Sequence, residues 1–260
     1  MIKLAQKNFG FTIIELAVVV TIISFTLGSA LTIAALNRDI AKIELTTERI
    51  EYIMEMVENF VDEKGYLPCP TDPTLAFSNA NFGIGLQSGN PLIAVTTCTS
   101  GNIITSTSGN IKLGAVPVYT LNISPEYILD GWNRRILYAV DQDLTFVGTD
   151  GTNGYIDDTN PTIGGIEIQN AAGVVTAALG IPDAAFLVMS AGPNGHGSWP
   201  GRGSGTRINA SIAEATKEGE NSHVGGTFDH QFIQSLPLAD YDDIVYFKTK
   251  WQLNGAENTE

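Results

Sequence analysis

The stretch FTIIELAVVVTIISFTLGSALTIAAL, residues 11–36, decides the fold. Glu15 is its single charged side chain, and the 21 residues 16–36 carry no charge. As a helix these residues extend about 31 Å, which matches the roughly 30 Å hydrocarbon core of a bilayer. Because Lys3 and Lys7 precede the stretch, the positive-inside rule predicts one membrane span with its N-terminus in the cytoplasm.

Three interpretations of this stretch compete. A cleaved secretory signal has an apolar region of only about 7–15 residues that ends in small residues, and this region is longer. A plain signal anchor accounts for the length and the basic flank. It does not account for Glu15, because a carboxylate within a membrane span costs about 2.5–3.5 kcal/mol. The third interpretation rests on the residues around Glu15.

The segment GFTIIE, residues 10–15, resembles the class III signal of type IV pilins and type II secretion pseudopilins. The resemblance implies that a prepilin peptidase cuts after Gly10 and N-methylates Phe11. It also implies that Glu15 of one subunit meets the Phe11 ammonium of its neighbour in a fibre. Two charges that are costly in lipid then form a pair, which favours one axial stagger.

The family implies a structural subunit with no catalysis of its own, assembled into a type IV pilus or a type II secretion pseudopilus. The expected partners are the prepilin peptidase, other pilin or pseudopilin subunits and an inner-membrane assembly platform. The expected location is a single-pass inner-membrane protein with a periplasmic head, which enters a fibre after assembly. The alternative is a membrane-tethered or fibre-tip binding module, such as a minor-pilin adhesin or cargo receptor.

The helix is predicted to continue past the apolar segment. Apolar residues recur near helical spacing, with charged residues between them, and Gly65 followed by Pro68 predicts the end of the helix. A coiled-coil stalk is the competing interpretation, but the heptad is not strictly kept. The predicted domains are a leader (1–10), a transmembrane and assembly helix (11–36), an amphipathic continuation (37–65) and a periplasmic head (66–260).

The head has a different composition, with 24 Gly and short apolar runs between turn residues. Such runs predict strands, and residues 71–110 and 197–230 are polar enough to be long loops. The predicted fold class is α+β, type IV pilin-like, with the long N-terminal helix on a mainly antiparallel sheet. The predicted strands are Val116–Leu121, Arg135–Val140, Thr145–Val147, Ile163–Ile168, Ala184–Ala191 and Ile244–Phe247; the predicted turns are Asp150-Gly151, Asn153-Gly154 and Gly164-Gly165.

Four head segments are similar in order and spacing to pseudopilin heads: residues 65–72, 130–140, 188–197 and 242–247. In this sequence Gly131 stands where the family has a proline before the tryptophan. In major pseudopilins the C-terminal Gly-rich loop binds calcium, an ion that takes six to eight oxygen ligands. The resemblance therefore implies a candidate calcium site at Ser190, Asn194, Asp242 and Asp243. A plain turn with capping aspartates is the competing interpretation.

Cys69 and Cys98 are the only cysteines. In a periplasmic head they are expected to form a disulfide. The bond closes a loop of about 30 residues and contributes roughly 3.5 kcal/mol in the chain-entropy model. The competing interpretation is two buried free thiols.

Composition and motifs argue against two other classes of function. The formal net charge of −14 repels phosphate backbones and disfavours a nucleic-acid partner. No G-x-S-x-G, H-E-x-x-H or P-loop pattern occurs in the sequence, so no enzyme motif is recognised. A second acidic stretch, Asp141–Asp158, lacks the spacing of a calcium loop.

Overall fold

The computed structural model describes residues 12–92, 96–107, 110–147, 165–175, 183–208, 217–223, 228–238 and 240–254, and leaves out the side chains of residues 27–35 and 254. The architecture is α+β, with a mainly antiparallel sheet. The chain divides into two compact units, Met1–Ala41 and Lys42–Glu260. The candidate functional regions lie in both units.

Helix α1 is Ile13–Lys64, 52 residues without a break. The prediction of an uninterrupted helix up to Lys64 is confirmed, because no proline interrupts it. Gly65 ends the helix: its φ of 74° is in the left-handed region, where glycine has no Cβ penalty, and its N–H donates to the carbonyl of Val61 at 2.7 Å. Among the described residues, no helix is both long enough and apolar enough to cross a membrane.

The described strands are β1 (Ile104–Thr105), β2 (Ile111–Ala115), β3 (Leu137–Asp141), β4 (Glu167–Gln169), β5 (Ala184–Ser190), β6 (Gln231–Ile233) and β7 (Ile244–Thr249); helices α2 (Lys217–Ser222) and α3 (Lys250–Asn254) and 3-10 turns at Pro125–Ile128 and Gln142–Leu144 complete the described elements. Five of these strands form the main sheet in the order β1-β2-β3-β5-β7, and every neighbouring pair is antiparallel. A second sheet consists of two parallel strands, β4 and β6.

The main sheet lies between two apolar clusters. One cluster joins Ile50, Ile53 and Val57 of α1 to Tyr138 and Val188 of the sheet. The other cluster joins the opposite face of the sheet to the two-stranded sheet; its members include Leu113, Leu187, Ile168, Trp199 and Phe232. The period-two alternation of β3 and β5 supplies both clusters, because successive side chains of a strand point to opposite faces.

Two strand predictions are wrong. Residues Val116–Leu121 form turns, in which Leu121 N donates to the carbonyl of Pro117 at 3.0 Å. Their apolar side chains belong to the buried core although the backbone is not extended. The actual strand is β2, which ends directly before them. Residues Thr145–Val147 follow a 3-10 turn, and Val147 N donates to Pro91 O at 2.8 Å.

The other strand predictions agree with β3, β5 and β7 to within two residues. The prediction Ile163–Ile168 overlaps β4, but its first two residues lie outside the described residues. The predicted turns at residues 150–151 and 153–154, the first residue of the turn at 164–165 and residues 148–158 of the acidic stretch also lie outside the described residues. The two predicted long loops contain β1 and α2 respectively, so both loops are shorter than expected.

Candidate functional site

The start of α1 holds the residues of the predicted assembly site. Gly10 and Phe11 lie outside the described residues, so the processing site stays a prediction. Oε2 of Glu15 accepts hydrogen bonds from the backbone N–H of Thr12 at 2.8 Å and from its hydroxyl at 2.9 Å. The Glu15 N–H donates to the Thr12 hydroxyl at 3.3 Å.

Thr12 and Glu15 therefore form a capping box, which satisfies donors that a helix N-terminus leaves unpaired. Sequence analysis missed this role, although the T-x-x-E spacing that signals it is present. The carboxylate of Glu15 has a partner within its own chain, so a contact between chains through Glu15 would add to or replace these bonds.

A second polar region surrounds the Gly-rich segment 191–197, which follows β5. Two of the predicted calcium ligands meet here, because Asn194 N donates to Oδ2 of Asp242 at 3.2 Å. The φ of Gly192 is 52°, and a Cβ on this residue would lie 2.2 Å from the carbonyl oxygen of Asp242. This position therefore requires glycine, both for its left-handed backbone and for the close approach of the two chain segments.

Two residues that sequence analysis did not single out complete the region, Glu218 of α2 and His196. One carboxylate oxygen of Glu218 accepts from Asn194 Nδ2 at 2.6 Å, and the other lies 2.5 Å from Nδ1 of His196. Glu218 is 6% exposed. We refer to Asn194, His196, Glu218, Asp242 and Asp243 as the loop cluster.

The loop cluster holds buried carboxylate oxygens that no donor of the described residues satisfies. Oδ1 of Asp242 and Oδ1 of Asp243 have no hydrogen-bond partner within the part of the chain that the structure describes. Oδ2 of Asp243 accepts from Asn221 Nδ2 at 2.9 Å. Burial raises the pKa of the Asp243 carboxyl well above its ordinary value, and burial together with the nearby Glu218 also raises that of Asp242. Unpaired buried carboxylate oxygens are suitable for binding a cation or a proton.

Ser190, the remaining predicted calcium ligand, forms its hydrogen bond with a different carboxylate. Its hydroxyl donates to Oδ2 of Asp130 at 2.8 Å. Asp130 Oδ1 accepts from the N–H groups of Trp132 and Arg134, both at 2.9 Å, so this buried carboxylate shapes the turn after Leu129. Among the described residues, no group of three or more His, Cys, Asp or Glu side chains is placed to hold a metal ion. The calcium site therefore stays a prediction that rests on the unpaired oxygens of Asp242 and Asp243.

Arg134 connects this turn to the Gly-rich segment. Its guanidinium donates to the carbonyls of Gly192 at 2.6 Å and Pro193 at 2.9 Å. Gly195 (φ 68°) leaves room for the guanidinium, since a Cβ there would lie 2.1 Å from Arg134 Nη1. The Gly-rich segment is thus held on one side by Arg134 and on the other by the loop cluster.

The disulfide prediction is confirmed: Cys69 and Cys98 are bonded. The loop they close carries Leu75, whose carbonyl accepts from Nη2 of Arg135 at 2.6 Å. The same guanidinium lies 5.0 Å from the ring centroid of Phe77 and 4.9 Å from that of Phe82. Burial lowers the pKa of Arg135 to about 10, and these cation–π contacts offset part of the desolvation cost of the buried charge.

The comparison with protein-family models finds no matching family, and neither the curated proteins nor the solved structures contain a significant match to this chain.

Proposed function

We propose that this protein is a prepilin-like structural subunit, cleaved after Gly10 and assembled into a type IV pilus or a type II secretion pseudopilus. One observation carries the proposal: the GFTIIE segment leads directly into a helix that runs unbroken from Ile13 to Lys64. The first part of the helix has exposed apolar side chains, among them Ile13, Ile14 and Phe25. Exposed apolar side chains on a helix favour burial in lipid or against other subunits.

The finer architecture belongs to the same proposal. Residues 11–36 form the transmembrane and assembly helix, and the head faces the periplasm with its fold organised as in a pilin. The Cys69–Cys98 disulfide supports an oxidising compartment for the head. The 21 uncharged residues 16–36 support a membrane span.

Mass spectrometry of the protein from its native host's membranes tests the processing step. The expected N-terminus is Phe11 carrying one methyl group. A variant with Gly10→Val is the control, because a β-branched side chain hinders the extended, open conformation that glycine allows. A wild-type chain that still begins at Met1, or one that begins near Ala30, would contradict the proposal.

A second experiment tests assembly. Glu15→Ala is expected to be cleaved and methylated but absent from sheared fibres, because it removes the carboxylate that pairs with the neighbouring ammonium. Glu63→Ala removes another exposed carboxylate of α1 and is expected to assemble normally. If Glu15→Ala enters fibres as well as Glu63→Ala does, the assembly role of Glu15 is wrong.

A further inference from the structure

Arg135 carries a buried positive charge that the described part of the chain does not balance. The residue is 1% exposed, and its Nη2 donates to the carbonyl of Leu75 at 2.6 Å. Nε and Nη1 of the same guanidinium are buried and have no hydrogen-bond partner among the described residues. Buried charges are normally paired and buried donors are normally satisfied. The Arg135 guanidinium therefore has unused donors for an anion.

The acidic residue that acts on Arg135, Asp72, is held by other donors. Burial lowers the pKa of Arg135, and the charge of Asp72 partly opposes this effect, but the two side chains form no ion pair. Oδ1 of Asp72 accepts from the N–H and the hydroxyl of Thr74 at 2.8 and 2.6 Å, and Oδ2 accepts from the N–H and Nδ2 of Asn102, both at 2.9 Å. A carboxylate has about four acceptor positions, so those of Asp72 are already occupied.

Two aromatic rings cover the Arg135 guanidinium, and one of them is exposed. The ring centroids of Phe77 and Phe82 lie 5.0 and 4.9 Å from Arg135 Cζ and 4.6 Å from each other. Phe82 is 1% exposed, whereas Phe77 is 43% exposed and belongs to the exposed segment 76–81. Exposed side chains change rotamer within picoseconds to nanoseconds. Phe77 is therefore the movable part of the cover.

A second arginine stands in the segment that packs beside this cover. A Cβ on Gly203 would lie 2.5 Å from the carbonyl oxygen of Leu75, which is the atom that accepts from Arg135. The backbone around Gly203 thus lies directly against Leu75, two residues before Phe77. The neighbouring Arg202 is exposed and forms no hydrogen bond or ion pair with a described residue.

The charge distribution of the chain favours an anion at this place. The chain has 28 acidic residues, yet the sequence 73–125, which contains Phe77, and the sequence 184–213, which contains Arg202, have no Asp or Glu. An anion that approaches Phe77 and Arg202 therefore meets a positive charge and no acidic side chain from either segment. Local charge of this kind attracts a ligand of opposite sign even when the net charge of the protein is negative.

We propose that Arg135 and Arg202 bind the carboxylate of a ligand, which enters when Phe77 rotates away from the guanidinium. A carboxylate brings one negative charge to the one unbalanced buried positive charge, and its oxygens suit guanidinium donors. The space that Phe77 leaves lies against the ring of Phe82, so the group that carries the carboxylate is apolar or aromatic. This inference goes beyond the proposed function and does not depend on cleavage after Gly10, so failure of either leaves the other standing.

The test measures binding of 4-fluorophenylacetate to the full chain in nonionic detergent by fluorine NMR, with protein-free micelles as the background. The amide of the same compound is the control, because it has the same shape and no charge. The acid is expected to bind about tenfold more tightly than the amide. Equal binding of acid and amide would mean that water alone satisfies the Arg135 guanidinium, and would overturn the proposal.

The source of the carboxylate is distinguished by a peptide that ends in phenylalanine with a free carboxylate, tested by its displacement of 4-fluorophenylacetate. Displacement at a lower concentration than that of unlabelled phenylacetate assigns the site to the end of a protein chain. Displacement by phenylacetate alone assigns it to a small free acid. Failure of both acids to bind contradicts the proposal.

Variants of exposed residues locate the site without disturbing the core. Phe77→Ala is expected to tighten binding of 4-fluorophenylacetate about threefold, because the cost of moving the ring disappears. Arg202→Gln is expected to weaken it about threefold, because one of the two cations is lost. Leu92→Ala and Lys64→Gln, which change another exposed apolar side chain and another exposed cation, should leave the affinity unchanged. An unchanged affinity in Phe77→Ala or in Arg202→Gln would contradict the proposal, as would a folded Arg135→Met variant that still prefers the acid to the amide.

Discussion

The backbone N–H of Gly131 donates a hydrogen bond to the hydroxyl of Thr46 on α1 at 2.9 Å. The two residues are 85 positions apart in sequence, and their contact brings the turn after Leu129 against the helix backbone. A Cβ on Gly131 would lie 2.3 Å from the carbonyl oxygen of Lys42. The contact requires glycine at this position, and proline would have neither the N–H nor the space.

Gly131→Ala is expected to lower the free energy of unfolding by about 1–3 kcal/mol, because the added methyl group collides with helix backbone that cannot move aside cheaply. Thr46→Val removes only the hydroxyl and is expected to cost about 1 kcal/mol. Denaturant unfolding measures both. Gly205→Ala is the matched control, since nothing lies within 4 Å of its Cβ position; a loss at Gly205 equal to that at Gly131 would refute the steric explanation.

Removal of the disulfide is expected to destabilise the head. The double variant Cys69→Ala/Cys98→Ala should lose about 3.5 kcal/mol in the free energy of unfolding, because the unfolded chain regains the entropy of a loop of 29 residues. Chemical denaturation with and without dithiothreitol measures the loss. Reductant should destabilise the wild type to the level of the double variant and leave the double variant unchanged; a wild type indifferent to reductant would contradict this expectation.

His223 is expected to make the protein sensitive to acid. Its ring lies against Phe228 and Phe232, with centroid distances of 4.3 and 4.8 Å, and burial lowers its pKa from 6.5 to about 3. Between these values the unfolded chain binds a proton that the folded chain does not. Stability is therefore lost as the pH falls from 6.5 towards 3, by up to about 1.4 kcal/mol per pH unit from this group.

His223→Asn removes this titration and retains a residue that tolerates the φ of 48°. Unfolding free energies between pH 7 and pH 4 should then fall less steeply than in the wild type, whatever the absolute stability of the variant. Identical slopes for the two proteins would show that the His223 ring does not take up a proton on unfolding.

The wild-type protein is expected to have a higher melting temperature in calcium than in EDTA. The reason is that the unpaired oxygens of Asp242 and Asp243 would then coordinate the cation. At a concentration of a hundred times Kd the gain is about 2.7 kcal/mol. Asp243→Asn should abolish the shift, and Glu126→Gln should retain it. No shift in the wild type, or an equal shift in Asp243→Asn, would remove the loop cluster as a calcium site.

The sequence predicted the elements that local patterns determine. The end of α1 follows from Gly65 and Pro68, and the disulfide follows from the presence of two cysteines in an expected periplasmic head. The strand prediction at residues 116–121 is wrong because an apolar run signals burial, and a buried segment need not be a strand. The adjacent strand β2, with sequence IKLGA, contains a lysine and a glycine and therefore gives a weak strand signal.

The candidate sites were predicted only in part, because their residues meet through tertiary contacts. Asn194 and Asp242 were expected to lie together and do so. Glu218 was not foreseen, since it lies on the short helix α2 within a stretch whose polar composition predicted a loop. The Arg134 contacts with the Gly-rich segment join residues 58 and 59 positions apart, and no spacing rule in the sequence reports such a pair.

The capped edge of β7 has a consequence for how copies of this chain behave when crowded. On the outer side of β7, Gln234 Nε2 donates to the carbonyl of Val245 at 2.8 Å, and the N–H of Thr249 donates to Gln252 Oε1 at 2.9 Å. These bonds occupy two backbone groups that a neighbouring sheet would otherwise use, which disfavours a continuous cross-β structure along this edge. In the fibre proposed above, contacts through the helix would then be separate from amyloid-like aggregation through this edge of the sheet.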